Sequence, residues 1–138
     1  RRDYTKVVNG KNPIIEHKYI GREVEGKDIL IVDDMIASGG SVIDIAKQLK
    51  KQNANRIFCA VSFALFTEGP DKFDQMNKEG YIDGVYSTNL TYVPESIKNK
   101  EWFHAVDMSE LMSEFIHHIN REESISILLD KTRGINIL

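Results

Sequence analysis

Two runs of apolar, β-forming residues stand out in the hydrophobic pattern, at residues 29–32 and 57–64. Each run is too short for a helix and shows no alternation, a pattern typical of a buried strand. Between them, apolar residues from 41 to 51 recur at helical spacing, which predicts an amphipathic helix. Strand, helix and strand in this order predict a βαβ unit with parallel strands and a right-handed crossover.

The rest of the chain continues the alternation of helices and strands. A helix is predicted from Pro70 to about residue 79, where Gly80 ends it, and an apolar stripe after Met108 predicts another. That stripe consists of Leu111, Met112, Phe115, Ile116 and Ile119. Further strands are predicted at residues 85–89, 103–106 and, partly exposed, 16–24, with an edge strand or docking segment at 124–129. The pattern predicts one α/β domain over residues 1–138.

Candidate chemistry is concentrated where the first strand meets the first helix. Asp33 and Asp34 follow the apolar run, and small residues then lead into the helix: Ala37, Ser38, Gly39, Gly40 and Ser41. Small residues let the backbone approach a ligand, and the N–H groups of a helix start attract an anion. The two carboxylates would supply oxygens for hydroxyl groups or Mg²⁺. The pattern indicates a phosphate site; the alternative is an ordinary helix start capped by Ser38 or Ser41.

Composition narrows the class of protein. With 138 residues, 41% of them hydrophobic, the chain suits one compact domain. A net charge of −3 provides no basic field for nucleic acid. Cys59, the single cysteine, lies in an apolar run, which predicts a buried structural thiol and a reducing compartment. Because no apolar run reaches membrane-spanning length, we expect a cytoplasmic protein with neither a nucleic-acid nor a membrane partner.

Residues 32–41, Val-Asp-Asp-Met-Ile-Ala-Ser-Gly-Gly-Ser, resemble the phosphoribosyl-diphosphate (PRPP) loop of the phosphoribosyltransferase superfamily. Three other stretches resemble ribose-phosphate diphosphokinases, the PRPP synthetases. Arg1-Arg2 resembles the end of their Lys-Arg-Arg motif, Ser87-Thr88-Asn89 their Thr-Asn loop, and residues 109–126 their C-terminal helix and final strand. The likeness covers nearly the whole chain, as the C-terminal half of such an enzyme, so the chain is expected to be part of a longer protein.

The resemblance implies a three-layer phosphoribosyltransferase-like fold, with a mostly parallel central sheet flanked by helices. It also implies that diphosphate passes from MgATP to ribose 5-phosphate, giving PRPP and AMP. Residues 37–41 would bind the 5-phosphate, and Asp33 and Asp34 the ribose hydroxyls and the associated Mg²⁺. Arg2 would be catalytic and close over the transferred phosphoryl groups, on a mobile flap of residues 1–13. The resemblance implies a homo-oligomer, and the chain alone is expected to be inactive.

Some positions depart from the family pattern. The family's catalytic Lys, expected just before Arg1, is absent, Ala37 stands where many synthetases have Asp, and Phe63-Ala64 replaces a common His-Pro pair. On composition alone, the basic residues 1–11 are better explained as a frayed chain end than as a flap. Two other functions stay open: a purine or pyrimidine phosphoribosyltransferase that uses PRPP, and a non-catalytic relative that senses PRPP.

Overall fold

The computed structural model describes residues 23–128, which form four strands and four helices, followed by a helical turn at 126–128. The strands are β1 (Ile29–Ile36), β2 (Ile57–Ala64), β3 (Gly84–Thr88) and β4 (Phe103–Val106). The helices are α1 (Gly40–Lys51), α2 (Asp71–Lys78), α3 (Glu95–Lys98) and α4 (Ser109–Asn120). The alternation of strands and helices that the hydrophobic pattern predicts is confirmed.

All four strands are parallel, and their order in the sheet is their order in the sequence, β1-β2-β3-β4. Each crossover therefore steps in the same direction across the sheet. Because such crossovers share the same handedness, α1, α2 and α3 lie on the same face of the sheet. The α/β class, with a parallel sheet flanked by helices, is confirmed.

The core lies between these helices and the face of the sheet that they cover. From the sheet it includes Ile57, Cys59, Val61 and Val85, and from the helices Val42, Ala46, Leu49, Phe73, Met76 and Ile97. Four aromatic rings pack together at one end of this core, with centroids 5.1 to 6.1 Å apart: Phe66, Phe73, Trp102 and Phe103. This aromatic cluster lies close to the start of α1.

The opposite face of the sheet is largely exposed. Leu30, Val32, Tyr86 and Val106 lie on it, with exposed fractions of 59%, 75%, 38% and 42%. The prediction that residues 29–32 form a buried strand is therefore wrong for this face. A continuous apolar run is typical of a strand covered on both faces, whereas β1 is the first strand of the sheet order and packs on helices on one side.

β1 is also longer than predicted. Its pairing with β2 continues past Val32 through Asp33 and Met35 to Ile36. Both acids therefore lie within the strand instead of following it. Their side chains are exposed, so the strand can include them without the cost of burying a charge.

Other differences concern short or exposed segments. The four-residue helix α3 was not predicted, because one turn is too short to show a period. Residues 126–128 are helical, so the strand predicted at 124–129 is wrong there; residue 129 lies outside the described residues. α4 begins just after Met108 and includes the whole predicted stripe, but none of its residues is buried, and Ile116 and Ile119 expose 69% and 64% of their surface.

The strand predicted at 16–24 falls mostly outside the described part of the chain, and its last residues, Glu23 and Val24, are not in a strand. Between residues 23 and 128, no helix combines the length and apolar character needed to cross a membrane.

Candidate functional site

Asp33 and Asp34 lie in the second half of β1, and both are exposed. Successive strand residues point to opposite faces of a sheet, so the two carboxylates diverge. Asp33 pairs with Val61 in register, on the helix-covered face, and it lines a cavity at the start of α1. Its Oδ1 accepts a 2.9 Å hydrogen bond from the backbone N–H of Asp34. The strand thus brings the Asp33 carboxylate to the cavity and directs Asp34 towards the open face.

The loop between β1 and α1 turns on Gly39, the N-cap residue of α1. Its backbone is left-handed, with φ 80° and ψ −6°, a conformation that residues with a Cβ rarely adopt. Its carbonyl accepts the first helical hydrogen bond, 3.0 Å from the N–H of Ile43. The N-cap residue is Gly39, so the alternative of an N-cap at Ser38 or Ser41 is wrong, and the first turn holds no acidic residue. Such a helix start presents N–H groups and the positive end of the helix dipole to an anion.

The cavity beside this loop has a volume of about 140 Å³. It is lined by Asp33, Met35 and residues 36–42. A Cβ added to Gly40 would meet only the Ser38 Oγ, at 3.9 Å, so this position opens onto free space. The volume is below the roughly 300–1,000 Å³ of pockets for drug-sized ligands, and it suits a group the size of a phosphate.

Cys59 lies behind the site, in the neighbouring strand β2, and is fully buried. Burial raises the pKa of its thiol to about 12, and the negative charge of Asp33 acts in the same direction. The thiol is therefore protonated at neutral pH and cannot serve as a nucleophile. The prediction of a buried structural thiol is confirmed.

Asn89, at the end of β3, joins that strand to the start of α4. Its Nδ2 donates to Asp107 Oδ1 (2.7 Å) and to Ser109 Oγ (3.1 Å), and its Oδ1 accepts from the backbone N–H of Met108 (2.9 Å). Hydrogen bonds from Ser109 and then Asn89 hold the pKa of Asp107 below its usual range. The side-chain amide of Asn89, in the Thr-Asn segment, is therefore engaged in hydrogen bonds within the protein.

The structure places residues 37–41 and Asp33 around one cavity and turns Asp34 away from it. Arg2 and the rest of residues 1–13 lie outside the described part of the chain. Sequence reasoning missed Leu65, Phe66 and Thr67 after β2, and Phe73 of α2, which lie behind the loop. A left-handed Phe66 and a contact between Gly39 and Phe73 have no local sequence signal.

Within residues 23–128, no group of three or more His, Cys, Asp or Glu side chains could hold a metal ion. Mg²⁺ is commonly bound by one or two carboxylates together with substrate phosphates and water. Asp33 therefore fits an ion that arrives with a phosphorylated substrate better than a metal held by the protein alone, and the expectation that Asp34 shares this ion is wrong for the strand geometry seen here.

Comparison with known proteins identifies the family. The family model described as the phosphoribosyl synthetase-associated domain matches residues 6–130 of the 138. The chain belongs to this family. Curated relatives of this synthetase-associated domain are named ribose-phosphate pyrophosphokinase. The protein from Prochlorococcus marinus is 31% identical over 104 residues, which are 75% of this chain and 30% of the relative. The protein from Vibrio cholerae is 32% identical over 108 residues, which are 78% of this chain and 33% of the relative.

The fold is similar to a solved structure, phosphoribosylpyrophosphate synthetase from Mycobacterium smegmatis. The TM-score is 0.64 at 22% sequence identity, over 74% of this chain and 33% of that one. This synthetase-associated domain thus spans about a third of the length of these relatives. The narrower expectation, that it is the C-terminal half of such an enzyme, has no support in these matches.

Proposed function

We propose that this synthetase-associated domain supplies the ribose 5-phosphate site of a ribose-phosphate diphosphokinase. The observation that carries the proposal is the start of α1, where a small-residue loop with a left-handed Gly39 as N-cap borders a phosphate-sized cavity beside Asp33. The name shared by the relatives, ribose-phosphate pyrophosphokinase, supports this reaction over others that use the same fold.

In this proposal the backbone N–H groups of residues 37–41 bind the 5-phosphate. Asp33, the carboxylate in the cavity, accepts hydrogen bonds from the ribose hydroxyls. Asp33 is the residue that would hold Mg²⁺ at this cavity, with substrate oxygens and water completing its shell, whereas Asp34 lies on the other face of the sheet. The bound ion would neutralise negative charge on the phosphate oxygens.

The proposed reaction is attack of the ribose 5-phosphate O1 on the β-phosphorus of ATP, with AMP as the leaving group. It needs positioned substrates and neutralised charge, and no protein nucleophile. The protonated thiol of Cys59 agrees with that requirement. Arg2 would close over the transferred phosphoryl groups on a flap of residues 1–13. The active protein would be a cytoplasmic homo-oligomer, and the 138-residue chain alone would not catalyse the reaction.

Binding tests the site directly. Calorimetry on the 138-residue chain should detect binding of ribose 5-phosphate, and Gly40→Val should lower the affinity by at least tenfold. Gly40 is suited to this test because an added side chain has room within the protein yet fills the space over the loop. Ser113→Val places the same side chain on the exposed α4 as a matched control. Equal affinity for the wild type and Gly40→Val would refute the site.

Activity of the full-length protein tests the reaction. Given ribose 5-phosphate and MgATP, it should release AMP, and Arg2→Ala should lower kcat by roughly a hundredfold, the cost of one transition-state contact. Asp33→Ala should also weaken the binding of ribose 5-phosphate, because the Asp33 carboxylate would contact hydroxyl groups that are already present in the ground state. Release of diphosphate from PRPP and a nucleobase would favour a phosphoribosyltransferase instead. PRPP binding without either reaction would favour a sensing role.

A further inference from the structure

We propose that Phe66 and Phe73 are positioning residues, which hold the candidate phosphate loop in the conformation that binds an anion. The inference rests on the function proposed above for residues 37–41. Neither aromatic residue lines the cavity, and both are buried, with exposed fractions of 5% and 1%. Their effect on a ligand would therefore act through the loop backbone.

The first contact comes from the turn that follows β2. The backbone N–H of Leu65 donates to the carbonyl of Ile36 at 2.8 Å, and that of Thr67 donates to the carbonyl of Ala37 at 2.9 Å. These bonds continue the β1–β2 pairing onto the first residue of the loop. Phe66, between the two donors, has φ 44°, a left-handed conformation that is uncommon for a bulky side chain. Such a backbone persists only where surrounding contacts hold it.

The second contact comes from Phe73 of α2. A Cβ on Gly39 would lie 2.3 Å from the Phe73 Cε2 and 2.7 Å from its Cζ. The ring therefore occupies the space that a side chain at residue 39 would need, directly against the left-handed N-cap. Gly39 has no room to move towards the core, and this contact fixes the entry of the loop into α1.

The ring of Phe73 is itself held in place. It stacks on Trp102 (5.5 Å, 27°) and meets Phe66 edge to face (5.1 Å, 88°). The Trp102 Nε1 donates to Asp74 Oδ1 at 2.8 Å, and Lys100 Nζ donates to Asp74 Oδ2 at 2.7 Å. Because Asp74 follows Phe73 in α2, this network ties the helix to the cluster. The loop N–H groups are thus aligned before a ligand arrives, which reduces the ordering cost of binding.

The first test measures affinity. Calorimetry with ribose 5-phosphate on the 138-residue chain should show that Phe73→Leu binds about tenfold more weakly, the loss expected if the competent loop falls to about a tenth of the population. Ile97→Ala, which removes buried volume from α3 in the same core, is the control. If Ile97→Ala weakens binding as much, the effect is general destabilisation and the inference fails.

The second test looks for rescue, which a general loss of stability would not produce. Gly39→Ala should weaken binding, because the new methyl group meets the Phe73 ring and disfavours the left-handed backbone. Phe73→Leu makes space for that methyl group. The double variant should therefore bind more tightly than Gly39→Ala alone. In NMR spectra of the free protein, the amide signals of Ala37 and Gly39 should shift in Phe73→Leu and stay in place in Ile97→Ala.

The outcomes separate this inference from the proposed function. If the wild type does not bind ribose 5-phosphate, or Gly40→Val binds as well as the wild type, the proposed function fails. If the wild type binds, Gly40→Val does not, and Phe73→Leu binds normally, only the positioning role is overturned. The positioning role is also overturned if the double variant shows no rescue, so that the losses of affinity from Gly39→Ala and Phe73→Leu simply multiply. Phe66→Leu takes the place of Phe73→Leu should the latter not fold, with the same tenfold loss expected.

Discussion

Cys59 and Asp74 belong to the same domain, yet their environments shift their pKa values in opposite directions. Burial raises the pKa of Cys59, because a thiolate inside the core would lose its hydration. Hydrogen bonds from Lys100 and then Trp102 lower the pKa of Asp74, because both stabilise the charged carboxylate. Each shift makes folding stability depend on pH in a different range.

For Cys59 the dependence should appear at alkaline pH. The folded pKa of about 12 lies above the ordinary 9.0, so the stabilising contribution is complete below pH 9 and is lost as the pH rises towards 12. We expect the free energy of unfolding of the wild type to fall faster above pH 9 than that of Cys59→Ala, by up to about 1.4 kcal/mol per pH unit. Urea titrations at pH 8, 9 and 10 measure the difference. Parallel curves for the two proteins would contradict the burial of the thiol.

For Asp74 the dependence should appear in acid. Its pKa is lowered, so the contribution is complete above the ordinary carboxyl value of 3.8 and is lost as the pH falls below that. Trp102 is the only tryptophan and donates to Asp74, so its fluorescence should report the titration. We expect an emission change below pH 4 that is absent in Asp74→Asn and retained in Asp71→Asn, a control in the same helix. A change that persists in Asp74→Asn would assign it to another group.

At the scale of elements, the structure that depends on local sequence is the part that was predicted correctly. The strand, small-residue loop and helix around residues 33–41 follow from the order of side chains and from glycine's conformational freedom. The contact of Gly39 with Phe73, and the left-handed Phe66, depend on packing between distant segments and could not be predicted. The exposure of one face of β1 has the same cause, because an apolar run does not say whether both faces of the sheet are covered.

The junction of β3 with α4 depends on one side chain, Asn89. Replacing it with alanine removes three hydrogen bonds to residues 107–109. We expect Asn89→Ala to lower the free energy of unfolding by about 1–2 kcal/mol, a discounted value because the site is exposed. Backbone amides of α4, which has no buried residue, should exchange faster, whereas those of β2 should not. Thr91→Ala, in the neighbouring loop, is the control; similar exchange rates in both variants would argue against this joining role.

At the scale of the whole molecule, the two faces of the sheet should tolerate mutation very differently. Val32 is 75% exposed and Val85 is fully buried. In the 138-residue chain, Val32→Lys should change the free energy of unfolding by less than about 0.5 kcal/mol, whereas Val85→Lys should prevent folding because it buries an unpaired charge. Denaturant titrations followed by circular dichroism measure both. A large loss in Val32→Lys would show that the face with Leu30 and Val32 is covered in solution.

The strand order also bears on how the domain acquires its structure during synthesis. Every strand pairs with its neighbours in sequence, so each pairing closes a loop that contains a single crossover. Short loops close at low entropic cost, and domains emerge from the ribosome N-terminal part first. β1 and β2 can therefore pair, with residues 37–41 between them, as soon as residue 64 is available. Trp102, which stacks on Phe73 behind the loop, is made later, so the loop would form first and become rigid only when β4 is added.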